Sequence, residues 1–257
     1  MNNKITLSLL GGALVSGSAF AGEVVAPVVE AAPCYEADVM VGAHSDYIWR
    51  GARQGSNLVD AAVNLSKSAW GLDFTAGAWY GSFEEEASGS DSNVDELDLT
   101  FGVSKDLGFA RFNTGYIYYN VDTLLGNDEA SEIYVGFSKE LCYGLSSSLT
   151  YFINTSGDLG GDSEYDNNGY SVLSLAKSDL FLEGLTLSND LGYLVEKGQL
   201  NHNTTTLGYD YALSENATIT PYLAYTWELD ALEEHGPSWT GSEQNRFHGG
   251  VALTVSF

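Results

Sequence analysis

Basic residues are scarce in this sequence. Its 257 residues include 10 Lys and Arg against 35 Asp and Glu, and the formal net charge is −25 at pH 7. Proteins that bind nucleic acid neutralise phosphates with clustered Lys and Arg, so this composition excludes a nucleic-acid partner. Proline is also rare, with 4 residues, whereas Gly (29) and Tyr (16) are frequent, which favours a β-rich chain with few strand breaks.

The sequence has no run of 18 consecutive apolar residues, so no transmembrane helix is predicted. Its one short apolar stretch, Ile5 to Val15, follows Lys4 and precedes the small-residue motif Ala19-Phe20-Ala21. This order is typical of a secretory signal peptide, predicted here over residues 1–21. A membrane anchor is the alternative, but the stretch is far shorter than the ~20 residues that a bilayer requires.

Catalytic signatures are missing as well. The chain has no GxSxG, HExxH, CxxC or phosphate-binding loop, and only four histidines. A lipid hydrolase would need a Ser nucleophile with a His base, and the nearest approach is His248 with Ser238 and Ser242 in the preceding segment. Because these residues form no known motif, we expect no catalytic residue, no metal site and no cofactor.

What the sequence does contain is a repeated unit of strand end, Lys, short turn and aromatic-rich strand. The lysines of this unit, Lys67, Lys105, Lys139 and Lys177, are spaced 38, 34 and 38 residues apart. Such a period occurs in propellers and solenoids, but it also fits one hairpin of a membrane barrel. Short connections alternate with long polar ones (among them 83–93, 122–130, 155–167, 196–203 and 228–245), which is the asymmetry of outer-membrane barrels, whose short turns are periplasmic.

Alternation within the strands separates two faces. Leu97, Leu99 and Phe101 alternate with Asp98 and other polar residues, which predicts an apolar face toward lipid and a polar face toward a lumen. A soluble sandwich with an exposed polar face is the alternative architecture. The predicted strands number twelve, at about 38–50, 57–67, 72–83, 94–105, 109–121, 131–140, 145–155, 168–177, 185–196, 204–213, 217–228 and 246–257.

The last strand ends the chain on Phe257, with Val251, Leu253 and Val255 on the same face. Lipid tolerates no unpaired sheet edge, so this strand is expected to pair with the first one and close the barrel. The expected organisation is a signal peptide (1–21), a periplasmic leader (22–36) and a single all-β, antiparallel transmembrane barrel (37–257). An aromatic belt is expected near the upper strand ends, formed by Tyr80, Tyr118, Tyr119, Tyr151, Tyr193, Tyr225 and Trp227.

The segment Ser45-Asp46-Tyr47-Ile48-Trp49-Arg50-Gly51 resembles the "S-D-Y-x-x-R-G" start of the TorF-type putative porins of bacteria. The likeness extends over the first hairpin to about Gly81 and to the closing Thr254–Phe257. This resemblance implies an outer-membrane barrel of a Gram-negative cell with a porin-like role. It supplies no catalytic residue and no identified solute.

Charged residues on the expected inner face are candidates for a constriction that sets an electric field. The alternative is a structural ion-pair network in which Arg50 pairs with Asp46 or Asp60. The candidate lumen residues are His44, Asp46, Arg50, Arg53, Asp60, Asp73, Asp98, Arg111, Asp190 and Asp210.

The predicted function is passive diffusion of ions or small polar solutes, with a preference for cations because acids outnumber bases. A barrel with a blocked lumen, acting as a structural or surface-interaction protein, is the main alternative. Gly, Ser, Thr and Asp on the inner face favour a channel, whereas bulky residues on that face favour the alternative: Trp79, Tyr134, Phe152 and Leu194. Expected partners are outer-membrane lipid and lipopolysaccharide, the barrel assembly machinery, and the solutes themselves. Cys34 and Cys142, both expected at the periplasmic side, are candidates for a disulfide across the barrel mouth, and two free thiols are the alternative.

Overall fold

The computed structural model describes residues 35–84, 93–123, 126–156, 169–230 and 245–257. Within these ranges no helix is long and apolar enough to cross a membrane. The strands are β1 (Glu36–Trp49), β2 (Ala52–Ala69), β3 (Leu72–Glu84), β4 (Asn93–Asp106), β5 (Arg111–Thr123), β6 (Gly126–Glu140), β7 (Leu145–Ser156), β8 (Tyr170–Lys177), β9 (Leu185–Leu194), β10 (Gln199–Tyr209), β11 (Tyr211–Ala212), β12 (Ala217–Glu228) and β13 (Asn245–Ser256).

Each strand pairs antiparallel with its neighbours, and the first and last strands close the ring. β1 pairs with β13 from Asp38↔Ser256 to His44↔Gly250, so no sheet edge is left open there. β10 and β11 both pair with β12 and are separated only by Asp210, so they form one strand of the wall. The predicted twelve-stranded antiparallel barrel is therefore confirmed.

The barrel is apolar outside and polar inside, the reverse of a soluble protein. In β4 the exposed fractions of Leu97, Leu99 and Phe101 are 38%, 45% and 52%, whereas Glu96 and Asp98 on the other face are 6% and 5% exposed. Alternation therefore directs the leucines toward lipid and the acids toward the interior.

Both ends of the barrel chain lie at the same end of the barrel, here called the lower end. The amide of Phe257 donates to the carbonyl of Ala37 at 2.8 Å. The lower turns are short, as predicted. The tightest is Trp70–Gly71, whose φ values of +56° and +74° suit the twist of a two-residue hairpin.

At the opposite, upper end, two predicted long loops are wrong. The loop expected at 122–130 is mostly strand, because β5 continues to Thr123 and β6 begins at Gly126. The loop expected at 196–203 is likewise mostly strand, because β10 begins at Gln199. The polar residues in these segments do not exclude a strand, because a barrel wall accepts polar side chains on its inward face and above the membrane. The segments 85–92, 157–168 and 231–244 lie outside the described residues.

Glycines on the inner face make room for large side chains that lie along the wall. Tyr134 crosses two neighbouring strands over Gly102 and Gly115, where an added Cβ would stand 2.6 Å and 2.5 Å from its hydroxyl oxygen. A Cβ added at Gly81 would likewise lie 2.4 Å from the ring of Trp79 on the same strand. These pairs let aromatic rings lie flat against the inner wall.

Candidate functional site in the barrel interior

The hairpin between β1 and β2 bends into the barrel at its upper end. We call residues 47–56 the β1–β2 tip. Register shifts lie at both of its bases, between Tyr47 and Ile48 in β1 and between Ser56 and Val59 in β2. Bulges of this kind bend a strand and re-aim its side chains. The turn itself is Arg50–Gly51, both residues with positive φ (50° and 83°), so the tip is a tight two-residue hairpin where the sequence suggested a connection of six residues.

Arg50 carries the main contact of the tip with the opposite wall. Its Nη2 lies 2.5 Å from Oε2 of Glu132 on β6, and the Tyr119 hydroxyl donates to the same oxygen at 3.0 Å. The Arg50 and Glu132 side chains are 10% and 2% exposed. The backbone carbonyl of Arg50 also accepts a hydrogen bond of 2.8 Å from the side-chain amide of Asn201 on β10. The tip is therefore held by polar bonds to two strands that are not its neighbours in the ring.

Aromatic rings enclose the Arg50 guanidinium. Its carbon lies 4.4 Å from the ring centre of Trp49, 4.4 Å from that of Tyr170 and 5.0 Å from that of Phe152. A guanidinium over a ring face is attracted by the ring quadrupole, and burial strengthens this attraction. The ion pair and the rings together fix the position of the tip.

Two clusters of buried apolar side chains fill the space beside the tip, and Trp49 packs against both of them. The first belongs to the wall near β1 and contains Tyr47, Leu58, Ala62, Trp79, Phe83 and Val94. The second belongs to β5–β8 and contains Ile117, Tyr119, Ala130, Tyr134, Phe152 and Tyr170. The tip and these clusters occlude the upper half of the interior. The predicted bulk on the inner face is present, since Trp79, Tyr134, Phe152 and Leu194 are all buried.

The remaining interior arginines are also paired. Nε of Arg53 lies 2.6 Å from Asp46, and Arg246 reaches the same carboxylate at 3.1 Å. Nearer the lower end, Nη2 of Arg111 lies 2.5 Å from Asp73. The expected pairing of Arg50 with Asp46 or Asp60 is wrong, because the bend of the tip carries Arg50 across the lumen to Glu132. Sequence analysis did not single out Glu132, which lies in the inward row of β6 between Ala130 and Tyr134.

Several interior acids form no ion pair with Arg or Lys among the described residues. Glu96 and Asp98 lie two residues apart on the same face of β4, and Oδ1 of Asp98 is buried without a hydrogen-bond partner. Asp210 accepts a bond from Thr220 at 2.6 Å, and Asp190 is also on the inner face. The interior therefore keeps an excess of carboxyl groups after its arginines are paired. Glu96 was not among the predicted lumen residues.

Histidines take part in hydrogen-bonded chains along the wall. His44 lies 2.9 Å from the Tyr222 hydroxyl and 3.1 Å from Asp60, whose other oxygen accepts a bond of 2.8 Å from the Trp79 indole. His248 lies 3.1 Å from the hydroxyl of Thr226. A cavity of about 20 Å³ adjoins His44, Asp46, Tyr47, Ile48, Leu58, Tyr222 and His248, which is room for about one water molecule.

All ten predicted lumen residues lie on the interior side of the barrel. One predicted member of the aromatic belt does not face lipid, since Tyr119 is 4% exposed and bonds to Glu132. Cys142 is exposed in the lower turn after β6. Cys34 lies outside the described residues, as do Ser238 and Ser242, so the disulfide stays a prediction. It would require the chain before β1 to cross to the opposite wall.

No protein-family model matches the chain, and no curated protein matches it. Solved outer-membrane proteins share its fold. A KdgM porin in complex with disordered oligogalacturonate superposes with a TM-score of 0.50 at 11% identity, over 86% of this chain and 99% of that one. An active-site mutant of outer membrane phospholipase A from Escherichia coli superposes with a TM-score of 0.50 at 14% identity, over 89% of this chain and 94% of that one. One neighbour is a channel and the other an enzyme, so at these identities the comparisons establish the fold of an outer-membrane β-barrel and no activity.

Proposed function

We propose that the protein is a narrow diffusion channel of the bacterial outer membrane for ions and small polar solutes, and that the β1–β2 tip is its gate. The observation that carries this proposal is the nature of the occlusion. Within the described residues, the element that crosses the lumen is one hairpin with a bulge at each base, held by an ion pair and packed between two apolar clusters of the wall. Such an element can leave the lumen without breaking the ring of strands.

The inner face below the occlusion supports passage of polar solutes. It is lined largely by small or polar residues, among them Thr75, Gly77, Thr100, Gly102, Ser104, Asn113, Ser138, Ser148, Ser174 and Ser188. Side chains of this kind offer hydrogen bonds to water and to hydrated solutes. The similarity of residues 45–51 to the TorF-type porins and the porin among the structural neighbours agree with a channel but do not identify a solute.

We further propose that the channel prefers cations. Arg50, Arg53 and Arg111 are each paired with a carboxylate, so they do not offer an unopposed positive field. Glu96 and Asp98 have no such compensation within the described part of the chain. Where they are ionised, carboxyl groups along a narrow path concentrate cations and repel anions, an effect that salt screens as the Debye length falls from ~30 Å at 0.01 M to ~3 Å at 1 M.

A barrel with a permanently blocked lumen is the second candidate. The observation in its favour is the pair of buried aromatic clusters that surround the tip. In this candidate, movement of the tip alone leaves too little space between the aromatic clusters for solutes to pass. This candidate predicts no conductance from any folded variant.

The test is the reversal potential of the folded protein in a planar bilayer across a potassium chloride gradient. We expect a cation-selective sign, strongest in dilute salt, and a reduced selectivity when Glu96→Gln and Asp98→Asn are combined. Asp179→Asn is the matched control, because Asp179 is exposed in a lower turn and Asn accepts its positive φ of 51°. An anion-selective sign would contradict the cation preference, and absence of conductance in all variants would support the blocked barrel.

A further inference from the structure

A polar cluster lies on the lipid-facing surface, where apolar residues are expected. We call Asn189, Asn203 and Thr205 the Asn patch. Asn189 occupies the outward row of β9 between Leu187 and Leu191, and Thr205 stands opposite it on β10. Leu187 is 37% exposed and Leu207, which follows Thr205 in the outward row of β10, is 43% exposed. The patch therefore lies among residues that face hydrocarbon.

The patch satisfies only part of its own hydrogen-bonding capacity. Nδ2 of Asn189 donates to Oδ1 of Asn203 at 2.7 Å, to Oγ1 of Thr205 at 2.9 Å and to the carbonyl of Thr204 at 3.4 Å. Within the described residues, the Asn189 carbonyl accepts no bond and the Asn203 amide group donates none. Exchanging both amide orientations swaps the roles of the two residues, but one amide NH2 group and one amide carbonyl always remain without a partner in the patch.

Hydrocarbon cannot supply the missing partners. Water and lipid headgroups lie at the membrane surface, and an unpaired amide in the apolar layer is destabilising. The partner that fits must bring its own polar group to the same depth. In a bilayer that condition points to another protein surface rather than to an acyl chain.

A second copy of this chain meets the requirement directly. Under a two-fold axis each surface meets itself, so the donor of one Asn pair faces the acceptor of the other and both are satisfied. Beside the patch is a shallow, open groove of about 500 Å³, bordered by Thr205 and lined by Leu207, Leu223, Tyr225, Trp227 and Phe247 among others. Gly249 has no side chain to fill this surface, and Phe247 is 67% exposed at its edge. The groove provides space for outward side chains of a partner.

We propose that the outer surface of β9, β10, β12 and β13 is the contact of a homodimer, with the Asn patch at its centre. This interface is independent of the proposed channel function, because every residue in it faces away from the lumen. Polar side chains that bond across a lipid-embedded interface are a known source of association between membrane segments.

The first test locates the contact by cross-linking in native membranes. Leu191 stands opposite Asn203 in the β9–β10 pairing, so L191C lies at the proposed centre. In a cysteine-free background (Cys34→Ser with Cys142→Ser), we expect oxidation to link L191C into a dimer. L99C is the matched control, because Leu99 is also outward and exposed but lies on β4. Equal cross-linking of both variants, or none of L191C, would overturn the proposal.

The second test measures association of the folded protein by energy transfer between labelled copies in vesicles. Asn203→Leu removes one bond on each side of the axis and should weaken dimerisation about tenfold. If the groove holds only lipid, the wild-type protein stays monomeric at every density, which would contradict the interface. A heat-modifiable gel shift checks that N203L is folded. If it is not, the L191C result decides, because that variant keeps both asparagines.

Discussion

Replacing Arg50 by Ala tests the gate directly. In the closed barrel the substitution removes the partner of Glu132, whose side chain is 2% exposed, and empties the space between Trp49, Phe152 and Tyr170. Removing one member of a buried ion pair costs about 3–5 kcal/mol, because the other charge stays buried without compensation. If the tip leaves the lumen, water enters and solvates Glu132, so most of this cost falls on the closed state.

The expected size of the effect follows from that difference. Each 1.4 kcal/mol changes an equilibrium tenfold, so a shift of about 3 kcal/mol lowers the ratio of closed to open barrels by about two orders of magnitude. Glu132→Gln should act in the same direction but less strongly, because the aromatic rings still hold Arg50. The readout is single-channel conductance, with the open fraction of R50A compared with that of the wild-type protein.

Arg111→Ala is the matched control for this experiment. It breaks an ion pair of the same length near the lower end, but the Arg111 and Asp73 side chains are 41% and 30% exposed. Exposed pairs contribute about 0–1 kcal/mol, so the open fraction should change by less than about tenfold. If R50A folds, shows the heat-modifiable shift and conducts no more than R111A, the tip is not a gate.

Two further predictions concern assembly of the barrel. Gly115→Ala should destabilise the folded protein by about 1–3 kcal/mol, because the new methyl group would overlap the Tyr134 ring and the Phe101 carbonyl. Gly208→Ala, whose nearest atoms would be 3.9 Å away, is the control in urea unfolding, and equal effects would contradict the packing argument. Deleting Phe257 should reduce insertion into the membrane without changing strand pairing elsewhere, measured as the yield of heat-modifiable protein. Full yield of the truncated chain would show that the terminal aromatic residue is dispensable.

Alternation explains why most of the wall could be predicted from the sequence. A period of two assigns every residue of a strand to one face, so Leu97 and Asp98 were placed correctly without knowledge of their neighbours. The strand count followed from the short turns, because each of them ends one hairpin. The two wrong loops show the limit of this reasoning, since polar residues near the upper rim suit a strand and a loop equally well.

Contacts across the lumen could not be predicted in the same way. Arg50 and Glu132 are separated by 82 positions, and nothing local in the sequence states that they meet. Their contact depends on the bulges at the bases of the tip. A bulge shifts the alternation from which the direction of the Arg50 side chain was predicted. The left-handed φ of Arg50 adds to this difficulty, because that conformation is usual for Gly and uncommon for Arg.

The same contact links the gate to the proposed selectivity. In the closed barrel Arg50 compensates Glu132, and the acids Glu96 and Asp98 lie next to the occluded space. When the tip leaves, Arg50 leaves with it and Glu132 joins the carboxyl groups that line the open path. Opening therefore makes the interior more negative, so a channel closed by this hairpin should become both conducting and cation-selective in one step.

Glu132→Gln separates this coupling from a purely steric gate. A steric gate predicts a larger open fraction with unchanged selectivity, because only the obstruction is weakened. The ion-pair gate predicts a larger open fraction together with a reversal potential shifted away from that of potassium, since the open path of E132Q lacks the carboxylate that opening uncovers in the wild-type protein. Measuring both quantities on the same E132Q channels at 0.01 M and 1 M salt distinguishes the two, because only the electrostatic shift disappears at the higher concentration.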